Sequence, residues 1–273
     1  MNVATLPIGV IDSGVGGLTV VHELMRQLPN ENIIYVGDTL RCPYGPRPAE
    51  EVQRFTREMV AFLLQQPIKM LVIACNTATA FTLESLRQEL SIPVVGVIHP
   101  GARAAIKVSQ SEQVGVIGTL GTINSGAYEA TLKQLKPSLR VASLACPSFV
   151  PLVEEGEVEG QQAFEVVSAA LRPFIEQHPM DTLVLGCTHY PLLRPVIQEV
   201  VGEAIQIISS NEEVANEVSS VLGFLEQLNV ATEERNHAFY TTGDEERFQR
   251  VHQHLFGDDV PKVKALDLTQ FAH

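Results

Sequence analysis

Short apolar runs recur along the chain, and each stops abruptly at small or polar residues. They cover 8–11, 33–36, 70–74, 94–98, a segment beginning at Val114, 141–144, 182–185, 204–208, 238–242 and 263–268. Amphipathic stretches at 18–28, 48–64, 211–228 and 244–255 have helical spacing, and a further helix closes at Leu90. β-branched runs alternating with helical segments predict an α/β protein built on parallel strands.

The pattern restarts. VGVIGTLGTINSG from Val114 echoes IGVIDSGVGG from Ile8, which aligns Gly118-Thr119 with Asp12-Ser13. Further along, 141–144 echoes 33–36, DTLVLGC echoes KMLVIAC, and 204–208 echoes 93–98. Common order and similar spacing predict a duplicated unit: two similar α/β domains facing each other across an active-site cleft. The expected division is residues 1–97 plus 208–273 for the first domain and 98–207 for the second.

Each half carries a cysteine at the same kind of place. Met70–Ala74 ends in Cys75-Asn76-Thr77, and Thr182–Leu185 ends in Gly186-Cys187-Thr188-His189. Asn76 or Thr77 can cap the next helix, and Pro191 is placed to begin one. Ligands bind at the carboxyl edge of open α/β sheets, and a helix N-terminus favours thiolate over thiol. A single free cysteine is commonly a small buried hydrophobe; two in matched positions are better explained by chemistry.

The first strand opens into Asp12-Ser13-Gly14-Val15-Gly16-Gly17-Leu18. The dinucleotide fingerprint fails, because Thr19 stands where its third glycine belongs and Asp12 would repel a pyrophosphate. A tight turn with close helix–strand packing explains Gly14 and Gly16, but not the acid and hydroxyl at the strand's end. The next loop, Arg41-Cys42-Pro43-Tyr44-Gly45-Pro46-Arg47-Pro48, is shaped by prolines, and Tyr44 and Gly45 are candidates to cover a ligand. Glu154 opens an acidic cluster that reads as solvated surface, yet it directly follows an apolar stretch, which gives it a route inward.

Composition narrows the setting. The 273 residues are 45% hydrophobic and 19% charged, with a net charge of -13, which disfavours nucleic acid and anionic membrane as partners. The four cysteines, Cys42, Cys75, Cys146 and Cys187, form neither C-x-x-C nor zinc-site spacing, so no metal site is expected and free thiols in a reducing cytosol are. No signal peptide and no apolar run of transmembrane length is recognised, so a cytoplasmic protein is expected.

A thiolate is a nucleophile or a base. Two similarly built cysteines suggest that one removes a proton from one face of a carbon and the other returns a proton to the opposite face. That inverts a stereocentre without a cofactor. Spacing does not name the substrate.

The segments GVIDSGVGGLTV, YVGDTLRCPYGPRP, LVIACNTAT, VGVIGTLGT and LVLGCTHYPLL, spread in order from residue 8 to residue 194, resemble the glutamate racemases of the aspartate/glutamate racemase superfamily. The resemblance implies interconversion of L- and D-glutamate without pyridoxal phosphate or metal, supplying D-glutamate for peptidoglycan. It makes Cys75 the acid/base for D-glutamate and Cys187 that for L-glutamate, with Asp12, Glu154 and His189 assisting. It places substrate on Asp12, Ser13, Pro43, Tyr44, Gly45, Asn76, Thr77, Thr188 and His189, with Thr119 and Thr122 on a nearby loop. It also implies a homodimer. Members activated by a peptidoglycan precursor carry a longer N-terminal extension than the seven residues before the first strand, so that regulation is not expected. Alternatives are an aspartate or hydantoin racemase, a cysteine hydrolase with Cys187 as nucleophile and His189 as base, and an amino-acid-binding module.

Overall fold

Ten strands form two parallel sheets in the computed structural model, which describes residues 2–231, 235–257 and 262–271. In chain order they are β1 (Ile8–Asp12), β2 (Ile33–Gly37), β3 (Met70–Ile73), β4 (Val94–Gly96), β5 (Gln113–Gly118), β6 (Arg140–Ala145), β7 (Thr182–Gly186), β8 (Gln206–Ser209), β9 (Ala238–Thr241) and β10 (Lys264–Ala265). The first sheet runs β10-β9-β2-β1-β3-β4 and the second β6-β5-β7-β8. The series β2-β1-β3-β4 and β6-β5-β7-β8 are the same arrangement, so the duplication read from the sequence is a duplication of topology. The fold is two similar α/β units facing each other across a cleft.

The central strands are mostly apolar because helices cover both faces of each sheet. Every residue of β1, β2, β3 and β7 is buried. The strands at or near the sheet edges, β6, β8, β9 and β10, are partly exposed. Because all the strand pairs are parallel, the carboxyl ends of the strands, and the turns that follow them, lie on one edge of each sheet. Asp12 is the last residue of β1, and Gly118 is its counterpart at the end of β5.

Several boundaries differ from the sequence reading. The strand expected over 94–98 stops at Gly96, because Ile98 begins a helix, Ile98–Val108, whose early Pro100 is compatible with a first turn. The helix expected over 211–228 is Ser210–Phe224, ended by a turn in which Gln227 N–H donates to Leu222 C=O. Of the terminal strand expected over 263–268, only Lys264–Ala265 pairs with β9. Glu154 ends a short helix, Phe149–Glu154, whose Phe149, Val150, Leu152 and Val153 are buried; that anchoring turns Glu154 towards the cleft rather than to open solvent. Residues 1, 232–234, 258–261 and 272–273 of the first expected domain lie outside the described residues.

Candidate active site

The site is assembled from the turns that follow β1, β2, β3, β5 and β7. Ser13, Pro43, Tyr44, Gly45, Cys75, Asn76, Thr77, Thr119, Cys187, Thr188 and His189, together with Val150, line one cavity of about 280 Å³. It is pinched almost shut, with open space for roughly one water molecule. The other three candidates are one contact away. Thr188 donates from Oγ1 to Asp12 Oδ2 at 3.3 Å, Glu154 meets His189 Nε2 at 2.7 Å, and Thr122 joins the hydroxyls of Thr77 and Thr119, each at 3.1 Å.

Cys75 caps the helix Asn76–Glu89 with its own sulfur, which accepts from Ala78 N–H at 3.4 Å and lies 3.5 Å from Ser13 Oγ. The cap residue is thus Cys75 itself, not Asn76 or Thr77. The expected thiolate preference does not follow. Burial and the neighbouring Asp12 push Cys75 up to about 12, outweighing the Ala78 and Ser13 bonds that favour the anion. Enclosure therefore favours the thiol over the thiolate.

Asp12 is fully buried and accepts from Gly14 N–H at 2.9 Å. Burial raises its carboxyl above the ordinary range, against the opposing pull of His189 and of bonds from Gly14, Gly17 and Thr188. On the other side, Cys187 Sγ is 3.9 Å from His189 Nδ1. Burial disfavours charge on His189, but its bonds to Cys187 and Glu154 prevail and lift it to about 10. The two cysteines thus have different companions: a carboxylate beside Cys75, an imidazole–carboxylate pair beside Cys187.

The walls are polar and interlocked between the two halves. Thr77 Oγ1 meets Thr119 Oγ1 at 2.8 Å, and Gly45 C=O accepts from Gly121 N–H at 2.7 Å. A Cβ on Gly45 would come within 2.5 Å of Thr119, and one on Gly16 within 2.5 Å of Thr188 Oγ1. The helix–strand packing expected for Gly14 and Gly16 is therefore only part of the account, since Gly16 makes room for residues of the opposite half. None of Gly14, Gly16 and Gly17 has a positive φ. Asn76 Oδ1 accepts from Tyr128 OH at 2.7 Å, whereas Asn76 Nδ2 is buried with no partner among the described residues.

Sequence reasoning missed several supports. Asp38, directly after β2, accepts from Tyr44 OH at 2.5 Å, from Arg41 Nε at 2.6 Å and from Thr242 Oγ1 at 2.8 Å. It fixes the loop that covers the cavity. Tyr35 OH donates to Gly14 C=O at 2.7 Å and steadies the first turn. Cys42, Glu154 and His189 are the one group of potential metal ligands that converges among the described residues.

Residues 8–218 match the Asp/Glu/Hydantoin racemase family. A glutamate racemase of Oceanobacillus iheyensis is 61% identical over 249 residues, 91% of each chain. The chain belongs to the Asp/Glu/Hydantoin racemase family. It is an isomerase, an amino-acid racemase. The crystal structure of a glutamate racemase isoform from Bacillus anthracis superposes on this racemase with a TM-score of 0.93 at 50% identity, covering 96% of this chain and 98% of the other. That of the Francisella tularensis glutamate racemase in complex with D-glutamate gives 0.91 at 34% identity, covering 98% and 99%. Among the described residues, no helix of the racemase is long and apolar enough to cross a membrane.

Proposed function

We propose that this racemase interconverts L- and D-glutamate by proton transfer between two cysteines, Cys75 acting on the D-enantiomer and Cys187 on the L-enantiomer. The observation that carries the reading is that both thiols line one cavity from matched positions in the two halves. The glutamate racemases that resemble this chain, and the D-glutamate complex among them, support the substrate.

In the direction from L to D, the Cys187 thiolate takes the α-proton from one face, and the carbanion accepts a proton from the Cys75 thiol on the other. His189, bonded to Glu154, is placed to hold the proton that Cys187 gives up on becoming a thiolate. In the reverse direction Asp12 serves Cys75, through a pocket where burial keeps both groups avid for protons. Substrate carboxylates are matched to the hydroxyls of Ser13, Thr77, Thr119 and Thr188 and to the unpartnered Asn76 Nδ2, whose buried donor gains a bond when an anion enters. Thr122 acts through Thr77 and Thr119. Pro43, Tyr44 and Gly45 close the cavity from above. No added cofactor is required in this scheme.

A cavity this tight admits glutamate only when the two halves separate and close again. The halves are taken as residues 1–97 with 208–273 and residues 98–207, a division whose second boundary falls inside β8. The biological role that accompanies the reading is supply of D-glutamate for peptidoglycan by a cytoplasmic homodimer.

The deciding experiment incubates the purified protein with L-glutamate and, separately, L-aspartate, without added cofactor, and separates enantiomers by chiral chromatography. D-glutamate should accumulate towards equal amounts of the two enantiomers, with aspartate turned over far more slowly. Racemised aspartate with unreacted glutamate would transfer the reading to aspartate, and racemisation of neither would overturn it.

A further inference from the structure

Three side chains with metal-ligating atoms converge beside the cavity, and the reaction scheme uses only two of them. Cys42 Sγ, a Glu154 carboxylate oxygen and a His189 ring nitrogen all lie within 4.8 Å of one another. Cys42 Sγ is 4.0 Å from Glu154 Oε1, which is 2.7 Å from His189 Nε2. We infer that Cys42, Glu154 and His189 form a site for a soft divalent cation, zinc in particular, and that the ion locks the enzyme closed and inactive.

The donor set fits. Sulfur, imidazole nitrogen and carboxylate oxygen are the ligands zinc takes, at roughly 2.0–2.3 Å, so ligand atoms around a tetrahedral ion stand about 3.3–3.8 Å apart. The sulfur–oxygen separation is within a few tenths of an ångström of that range. The nitrogen–oxygen separation has to widen by less than about 1 Å, a small rotation of a carboxylate whose side chain is 18% exposed. Thiolate and carboxylate together cancel the charge of a dication. The second imidazole nitrogen, Nδ1, already faces Cys187 Sγ at 3.9 Å, giving a ligating histidine the outer partner it normally has. Glu154 also lines a surface cavity with Val15, Val153 and Leu192, which gives the ion a way in from solvent. Three protein ligands leave the fourth position for water.

Chain spacing conceals this site. Cys42 is 112 residues from Glu154, and Glu154 is 35 from His189, so no zinc spacing appears in the sequence. The same separation gives the site its effect. Cys42 follows β2 of the first sheet, whereas Glu154 and His189 belong to the half built on the second. A bound ion ties the halves together and occupies the His189 nitrogen that otherwise meets Glu154. Metal binding itself is independent of the proposed reaction; the loss of turnover rests on it.

The test uses the full-length protein, first with Co²⁺ alone as a spectroscopic probe in the absence of glutamate. One equivalent should give a thiolate-to-cobalt charge-transfer band that survives in Cys187→Ser and Cys75→Ser and vanishes in Cys42→Ser and Cys42→Ala. Zn²⁺ should then inhibit wild-type racemisation, with recovery on adding a chelator. In Cys42→Ser or Cys42→Ala, which should turn over within about twofold of wild type, the half-inhibitory Zn²⁺ concentration should rise at least tenfold. Absence of the band, or a band lost in Cys187→Ser but kept in Cys42→Ser, overturns the site. Equal zinc sensitivity of the Cys42 variants and wild type, with the band assigned to Cys42, overturns the inhibitory lock while leaving the site in place.

Discussion

Cys75 and Cys187 each stand two residues beyond the partner of an equivalent isoleucine, for Ile11 pairs with Ile73 and Ile117 with Leu185. Register therefore delivers the two sulfurs to matching corners of two sheets. What distinguishes them is the other strand end in each half. At the end of β1 stands Asp12, and at the corresponding end of β5 stands Gly118. The second half replaces the missing carboxylate with His189 and Glu154, brought in from the turn after β7 and the helix Phe149–Glu154. One scaffold used twice thus presents two thiols to a common cavity with different proton acceptors behind them.

Asp12→Asn tests the carboxylate. Burial raises the Asp12 pKa, so the folded state binds this proton more tightly than the unfolded chain does, and ionising it above its unfolded pKa costs stability. Asparagine keeps an oxygen for Gly14 N–H and removes that cost. Turnover should fall by roughly 10²–10⁴-fold, while the denaturation midpoint at neutral pH stays level or rises. Steady-state kinetics beside a urea melt separates the two effects. Unchanged turnover would leave Asp12 a structural acid only.

His189 makes a prediction with a definite pH sign. Its pKa rises from 6.5 to about 10 on folding, so the folded protein holds this proton more tightly than the unfolded chain does. The stability this brings is whole below the unfolded value and is lost as pH climbs towards the folded one. The gap in unfolding free energy between wild type and His189→Gln should therefore be wider at about pH 6 than at about pH 9.5. Urea melts of both proteins at the two pH values measure it. A gap that is constant or grows with pH would mean that His189 is neutral in the folded protein.

The apolar runs were legible because parallel strands covered on both faces leave little room for polar residues, and the order of those runs exposed the duplication. The cavity was legible as strand ends plus a family resemblance. The helix Ile98–Val108 was not, since it begins beside Val97 with no side-chain cap and continues an apolar run without a break. The role of Asp38 as the anchor of Tyr44 was not legible, because that bond depends on how the loop folds back. The state of Cys75 misled for a related reason. Its position at a helix N-terminus can be read from sequence, whereas complete enclosure beside Asp12 cannot, and enclosure dominates.

Gly16→Ala tests how closely the halves meet. The added methyl would lie 2.5 Å from Thr188 Oγ1 and 2.6 Å from His189 Nδ1, well inside van der Waals contact. Both neighbours are cavity residues of the opposite half, so the clash falls on closure rather than on the helix that follows. We expect kcat/KM to drop by more than about tenfold, about 1.4 kcal/mol at the transition state, with the far-ultraviolet circular dichroism unchanged. Wild-type kcat/KM would show that the halves need not approach this closely during turnover.

The last prediction follows the proton. Serine at position 75 or 187 substitutes a far weaker acid for a thiol, and either change alone should lower racemisation by at least roughly 10²–10⁴-fold. With one thiol on each face, the group that delivers the proton is not the group that removed it, and a thiol hydrogen exchanges readily with solvent. In deuterated water the product should carry deuterium at its α-carbon from the first turnovers, while the remaining substrate stays largely protiated. A single base swinging between faces would carry substrate hydrogen into product or wash deuterium into both. Mass spectrometry of separated enantiomers at low conversion distinguishes these cases. Equal early labelling of substrate and product, or near wild-type turnover in Cys75→Ser, would leave the two sulfurs without the division of labour that their matched positions suggest.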